Sequence, residues 1–154
     1  MKRNALSCYW AWCRGMAAYW RARLLLAFHK PLGRRGEDLA ARLLKRQGCR
    51  IVARGVRLRG GELDLVAVQG RTIVFVEVKT RRGLGVDESL GESITDQKEQ
   101  RITRAAYAFL KRHKLLDYPC RFDVITVYWP RGQRPQVRHF PHAFEAAGDE
   151  RFLY

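Results

Sequence analysis

Two apolar runs, Leu63 to Val68 and Ile73 to Val78, flank the tetrapeptide Gln69-Gly70-Arg71-Thr72. Apart from Asp64 and Glu77, neither run shows the polar alternation of a half-exposed strand. This is the pattern of strands covered on both sides. Glycine at the first position of a Gly70-Arg71 loop suits a type II′ hairpin turn. That register sets Val68 opposite Ile73 and, further along, Asp64 opposite Glu77. Opposed residues of an antiparallel pair share a face, with Cβ atoms roughly 5 Å apart. The side-chain period of two adds Glu62 and Lys79 to the same face, together with Val66, Val68, Ile73 and Phe75. Leu63, Leu65, Ala67, Val74, Val76 and Val78 fall on the other.

The remaining pattern predicts an orderly α/β chain from Gly33 onward. Glu37 to Gln47 has helical spacing, with Leu39, Ala40, Leu43 and Leu44 along one side and Gly48 as its stop. Glu37 flanks that apolar face. It either looks toward the sheet or is a first-turn acid stabilised by the helix dipole. Strands are expected at Arg50–Leu58, Glu62–Val68 and Thr72–Thr80, followed by a loop from Arg81 to Thr95 containing Gly83, Gly85 and Gly91. Asp96-x-x-Glu99 reads as a capping box opening a helix to about Lys114. Ile102, Ala105, Ala106 and Phe109 face inward along it, and Lys98 lies on the same line in the first turn. A lysine is ill placed beside a positive helix end, so an acidic or phosphate partner is expected there. A strand at Arg121–Tyr128 and a shorter one near Val137–Phe140 complete the order.

Residues 1–32 stand apart. The first 36 residues hold eight Lys or Arg and no acid, with Tyr9, Trp10, Trp12, Tyr19 and Trp20 among them. Met16–Phe28 could be helical. The segment reads as a basic aromatic arm for nucleic acid, a membrane-surface helix, or an extension upstream of a start at Met16. The expected organisation is therefore an extension over 1–32, one domain over 33–145 and a tail over 146–154.

Charge narrows the partner. The chain carries 30 Lys and Arg against 15 Asp and Glu, a net +15 over 154 residues. Nucleic acid is the first expectation for such a balance, acidic membrane surfaces the second. Arg14, Arg21 and Arg23 interrupt the early apolar runs, so no membrane span is expected. The four cysteines have no zinc spacing, and a cytoplasmic chain with unpaired thiols is the simplest reading.

Acids at the end of doubly covered strands are costly unless a cation compensates. Lys79 opposite Glu62 would give a half-buried ion network. Alternatively, two opposed carboxylates offer the hard oxygen ligands that magnesium takes, and this metal reading is the one we favour.

The residues also carry a resemblance. The order helix, three strands, helix, strand, with Asp64 followed by Glu77-x-Lys79, resembles the PD-(D/E)xK restriction-endonuclease-like fold. Gly33-Arg34-Arg35-Gly36-Glu37, Gly60-Gly61-Glu62-Leu63-Asp64-Leu65, Phe75-Val76-Glu77-Val78-Lys79-Thr80-Arg81 and Arg121-Phe122-Asp123-Val124 resemble, in that order, the YraN-like family of bacterial proteins. That family is related to archaeal Holliday-junction resolvases. The resemblance spans about residues 33–145 and implies an α/β core with a mixed central sheet flanked by helices. It implies Mg²⁺ or Mn²⁺ held by Asp64 and Glu77, with the Val78 carbonyl completing the set. Lys79 would orient or activate the attacking water and stabilise charge on the phosphate. Glu37 matches the helix-borne acid of the resolvase-like branch. Lys98 stands where a polar residue of the second helix approaches, with Gln97 as the alternative.

The activity so implied is metal-dependent endonucleolytic cleavage of DNA, on branched or flap structures. Resolvase-like enzymes work as symmetric dimers, so the resemblance also allows a homodimer. Arg34, Arg35, Arg57, Arg59, Arg81 and Arg82 flank the expected site as candidate phosphate contacts. If about six engage duplex DNA, log affinity falls with log salt at a slope near −5. Two other readings compete: a nucleic-acid-binding protein of the same fold without catalysis, acting in DNA repair or uptake, and an interaction protein working through residues 1–32.

Overall fold

The hairpin forms in the expected register. Leu65 pairs with Val76, Val66 with Phe75, Ala67 with Val74, Val68 with Ile73 and Gln69 with Thr72. Gly70 alone in the turn has positive φ, at 60°, as a type II′ turn requires of its first central residue.

These details come from a computed structural model that describes residues 31–82 and 94–147. In chain order its elements are α1 (Leu32–Arg46), β1 (Arg50–Leu58), β2 (Gly61–Gln69), β3 (Thr72–Arg81), α2 (Asp96–His113), β4 (Cys120–Tyr128) and β5 (Gln136–Phe144). The five strands form one sheet in the order β1-β2-β3-β4-β5. All neighbours are antiparallel except β3 and β4, which run parallel with α2 between them in sequence. The result is the α/β mixed-sheet architecture of a restriction-endonuclease-like core. The Met16–Phe28 helix expectation and the three loop glycines after Arg81 lie outside the described residues.

Each sheet face buries its own core. On one face α1 contributes Ala40, Ala41 and Leu44 against Leu65, Ala67, Val74, Val76, Ile125 and Val127. On the other, Ile102, Ala105, Ala106, Phe109 and Leu110 of α2 meet Val66, Ile73, Phe75 and Phe122. Phe75 stacks on Phe122 and meets Phe109 edge-on, with centroids 5.7 and 6.0 Å apart. Both strand faces being apolar is thus explained by two helical covers. Among the described residues no helix is long and apolar enough to cross a membrane.

Three boundaries differ from the sequence reading. Helix α1 begins at Leu32 rather than Glu37 and runs through Gly36, which packs against β3. A Cβ there would collide with Thr80 Oγ1 of β3, so only glycine lets the helix cross the strand this closely. Glu37 consequently stands in the second turn, away from the helix end, and the first-turn dipole reading falls. The capping box also does not form. Thr95 is the N-cap and makes no side-chain cap bond, while Asp96 and Glu99 both lie inside the first turn. Finally, β5 runs from Gln136 to Phe144, longer than the segment expected around Val137–Phe140.

The Arg121-Phe122-Asp123-Val124 block supplies a strut between the strands. Asp123 is 0% exposed. It accepts hydrogen bonds from Arg121 Nε at 3.0 Å and from the His142 backbone N–H at 3.1 Å, and His139 Nε2 lies 2.9 Å away. Arg121 Nη2 also donates to Gln69 Oε1 at 2.8 Å, and Gln69 Nε2 donates to the Gln47 carbonyl at 3.0 Å. One buried carboxylate therefore ties β4 to β5 and, through Arg121, to β2 and the end of α1.

Three variants check this account by urea unfolding. Gly36→Ala is expected to cost about 1–3 kcal/mol through overpacking against Thr80. Gly33→Ala, where an added Cβ meets nothing within 4 Å, should be neutral or gain up to about 1 kcal/mol. Asp123→Ala should cost about 3–5 kcal/mol, because it leaves the half-buried Arg121 without its carboxylate.

Candidate functional site

The β2–β3 ladder ends one residue short of the acids. Its last backbone pair is Leu65 with Val76. At the next position the Asp64 side chain takes over, with Oδ2 accepting the Val78 N–H at 2.8 Å. The strict in-out alternation of β2 breaks at the same point. Leu63 packs with Val66 on the α2 side, whereas Leu65 packs with Ala67 on the α1 side. Strand β1 follows suit, because Ala53 and Val56 both pack on the α2 side with Gly55 between them at φ +55°. The expectation that Leu63 shares a face with Leu65 is thus overturned by a local kink of both strands.

The kink does not scatter the acids. The Asp64 and Glu77 carboxyls lie close enough to influence one another's pKa, and Glu77 is buried at 8% exposure. From the first turn of α2, Lys98 Nζ lies 2.9 Å from Glu77 Oε1. This is the acidic partner that a lysine at a positive helix end calls for. Gln97, the alternative, is exposed. From α1, Glu37 feels the charges of Asp64 and Glu62. Lys79 lies one pleat beyond Glu77 on β3 and interacts electrostatically with it. Four elements thus bring Glu37, Asp64, Glu77, Lys79 and Lys98 to one end of the sheet.

The electrostatics of this group are unbalanced. Burial raises the Asp64 pKa first of all, against the lowering effects of the Val78 N–H and Lys98. Burial also raises Glu77, and the neighbouring Asp64 charge raises it further against Lys98 and Lys79. Glu37 is raised by burial and then by Asp64, with Arg34 acting the other way. Lys79 is lowered by burial, with Glu77 opposing and Arg81 and Lys98 adding to the effect. Two lysines therefore do not offset the cost of three clustered acids. Among the described residues no three His, Cys, Asp or Glu side chains gather as ligands about one point, so Asp64 and Glu77 are the pair available to a cation. Magnesium binds through one or two carboxylates while keeping several waters, and this donor set fits that demand.

The six candidate arginines are placed less uniformly. Arg34 lies close enough to Glu37 to lower its pKa. The Arg35 guanidinium stacks over Trp129, 4.1 Å from the ring centroid. Arg57 pairs with Glu62 across the β1–β2 edge, Nε to Oε2 3.4 Å, both side chains exposed. Arg59, Arg81 and Arg82 are exposed. Sequence reasoning missed the Val78 amide as the anchor of Asp64, since a backbone donor has no side-chain signature.

The raised carboxylate pKa values set a pH dependence. A carboxyl whose folded pKa exceeds its unfolded value favours the fold below the ordinary carboxylate range. That contribution is lost as pH rises through the raised folded value. With metal chelated, Asp64→Asn is therefore expected to be more stable than the parent near neutral pH, on the order of 1 kcal/mol. The advantage should vanish below about pH 3, where the carboxyl is protonated in both states. Urea unfolding across pH in EDTA measures both limits.

Comparison with known proteins places these residues in a family. The family model described as "Uncharacterised protein family UPF0102" matches residues 36–127, a span holding all five clustered residues. A UPF0102 protein of Rhodopirellula baltica is 48% identical over 129 residues, covering 79% of this chain and 74% of its own length. Relatives in Geobacter sulfurreducens and Geobacter metallireducens are 48% and 45% identical, covering 77% of this chain and 92% and 96% of their own lengths. With the motif blocks, the mixed sheet and these matches in agreement, the chain belongs to the UPF0102, or YraN, family.

Proposed function

We propose that this protein is a divalent-metal-dependent endonuclease that hydrolyses phosphodiester bonds in DNA, with branched or flap structures as its substrates. The observation that carries the reading is the charge deficit at Asp64 and Glu77. The half-buried Asp64 and the buried Glu77 both remain raised in pKa beside Lys98 and Lys79, in a chain whose net charge is +15. A divalent cation resolves the repulsion, and a polyanion matches the surrounding charge.

Asp64 and Glu77 would hold Mg²⁺ or Mn²⁺, with the Val78 carbonyl as the further ligand implied by the family pattern. When bound, such an ion makes a water nucleophilic at neutral pH and offsets charge developing on the phosphate. The protein's own groups do the rest. The Val78 N–H fixes the Asp64 carboxylate, and Lys98 fixes that of Glu77. Lys79, discouraged from full charge by burial, releases a proton more readily than an exposed lysine and gains most from an incoming phosphate. Glu37, its pKa raised by burial and by the Asp64 charge, adds a third acid beside the pair.

A second reading, nucleic-acid binding without catalysis, draws support from Lys98, which already occupies Glu77. Labelled four-way junctions, flaps, single strands and plasmid, incubated with the full chain and Mn²⁺ or Mg²⁺, separate the two. Metal-dependent cleavage is expected, reduced by about a hundred- to a thousandfold in Glu77→Ala, the scale of removing a group that stabilises transition-state charge. No cleavage under either metal, or cleavage unchanged by that substitution, overturns the proposal. Salt-sensitive binding that survives Asp64→Ala and Lys79→Ala without any cutting establishes the second reading.

A further inference from the structure

Strand register extends the site in one direction. On the face that carries Glu77, neighbouring residues of β3, β4 and β5 form successive rows: Glu77–Val124–Phe140, then Lys79–Thr126–Arg138, then Arg81–Tyr128–Gln136. The first row borders the aromatic core under α2, whose first turn reaches Glu77 through Lys98. Beyond that row the same face turns polar and cationic. Neither the second nor the third row contains an acid, and they carry Lys79, Arg81 and Arg138. Arg81, Gln136 and Arg138 are exposed, and Tyr128 is half-buried. Lys79, Arg81, Thr126 and Tyr128 contribute to the lining of one pocket.

The dimensions follow from sheet geometry. Three strands spaced about 4.8 Å apart make a platform roughly 10 Å across, and residues two apart along a strand step about 6.7 Å. One base and its flanking phosphates fit such a platform, and a duplex does not lie flat on it. An aromatic ring set among cations offers stacking to an unpaired base, whereas in a duplex the base faces are already stacked on one another. Neither Tyr128 nor Arg138 belongs to the segments that flank the acids in sequence.

We infer that the β3–β4–β5 face beyond Lys79 is the binding track for an unpaired nucleic-acid strand adjoining the scissile phosphate, with phosphates on Arg81 and Arg138 and a base against Tyr128. This inference rests on the endonuclease reading and names the form of substrate the site accepts: a strand that is single-stranded on the side of β5. It accounts for a cationic surface continuing from Lys79 on the same strand face. It also gives a polarity to the site, because the acids close one end of the track and the open edge strand β5 bounds its side.

Binding in EDTA tests the track without turnover. Fluorescence anisotropy of the full chain with labelled single strands and blunt duplexes of equal length is measured over a salt series. The parent is expected to prefer the single strand. Arg81→Gln and Arg138→Gln should each weaken that binding several-fold and reduce the steepness of the log affinity against log salt plot by about 0.7. Tyr128→Leu should weaken it about tenfold with the slope unchanged, as expected for lost stacking, and should leave duplex binding intact. Arg138→Glu, at an exposed strand position, should exaggerate the arginine effect while unfolding at the parent's denaturant midpoint. Duplex preference in the parent, unaltered slopes in both arginine variants, or equal loss of single-strand and duplex binding in Tyr128→Leu overturns the inference. If the endonuclease reading alone fails, cleavage is absent while these binding effects remain. If the track alone fails, cleavage persists and the four variants bind as the parent does.

Discussion

The hydrogen bond from the Val78 N–H to Asp64 Oδ2 is the constraint around which the site is organised. An ordinary ladder would continue past Leu65 and Val76 with backbone partners. Here a carboxylate takes the acceptor's place, so β2 leaves β3 without orphaning the amide. A bond from a backbone donor to an ionised oxygen is shorter and stronger than its neutral counterpart, which makes the substitution affordable inside a covered sheet. The two helices close on the same place. Gly36 lets α1 cross β3 at Thr80, and the first turn of α2 delivers Lys98 to Glu77.

Much of this could be read in the sequence, for identifiable reasons. The register followed from Gly70 and two unbroken apolar runs, because a one-residue slip would change which side chains meet each helix. Lys98 followed from helical spacing, since a residue four before Ile102 must share its line. What failed was local distortion. Strict alternation placed Leu63 with Leu65, and nothing in the side chains of β2 announces that the strand turns over at Asp64. Gly55 in the facing strand marks the spot only once the pairing is known. The start of α1 at Leu32, ahead of Gly36, escaped the spacing argument for a related reason. A glycine required by another element's approach cannot be told from a helix stopper until that element is placed.

The arginines show the same limit at longer range. Flanking the acids in sequence placed six of them near the site. Yet Arg35 is committed to Trp129, and Arg121 is spent on an internal strut rather than on a partner. Arg138 is distant in sequence from both acids and reaches their face because β5 adds itself beside β4. Proximity along the chain is therefore a poor guide to which cations share a sheet face with the acids.

The strut and the site together show what separates a structural acid from a candidate functional one in this fold. Asp123 is more deeply buried than Asp64 or Glu77. It has a guanidinium, an imidazole and a backbone N–H against a single carboxylate. Its charge is fully surrounded by donors supplied within the protein, and removing it would leave those donors unmet. Asp64 and Glu77 have the opposite balance, with two carboxylates in reach of each other, one amide and a lysine shared with solvent. Burial alone does not distinguish these cases, because desolvation acts on all three. The difference is the supply of donors. Where the fold provides enough, an acid holds strands together. Where it provides too few, the acids keep raised pKa values, and in this sheet they sit where its face turns from apolar to basic.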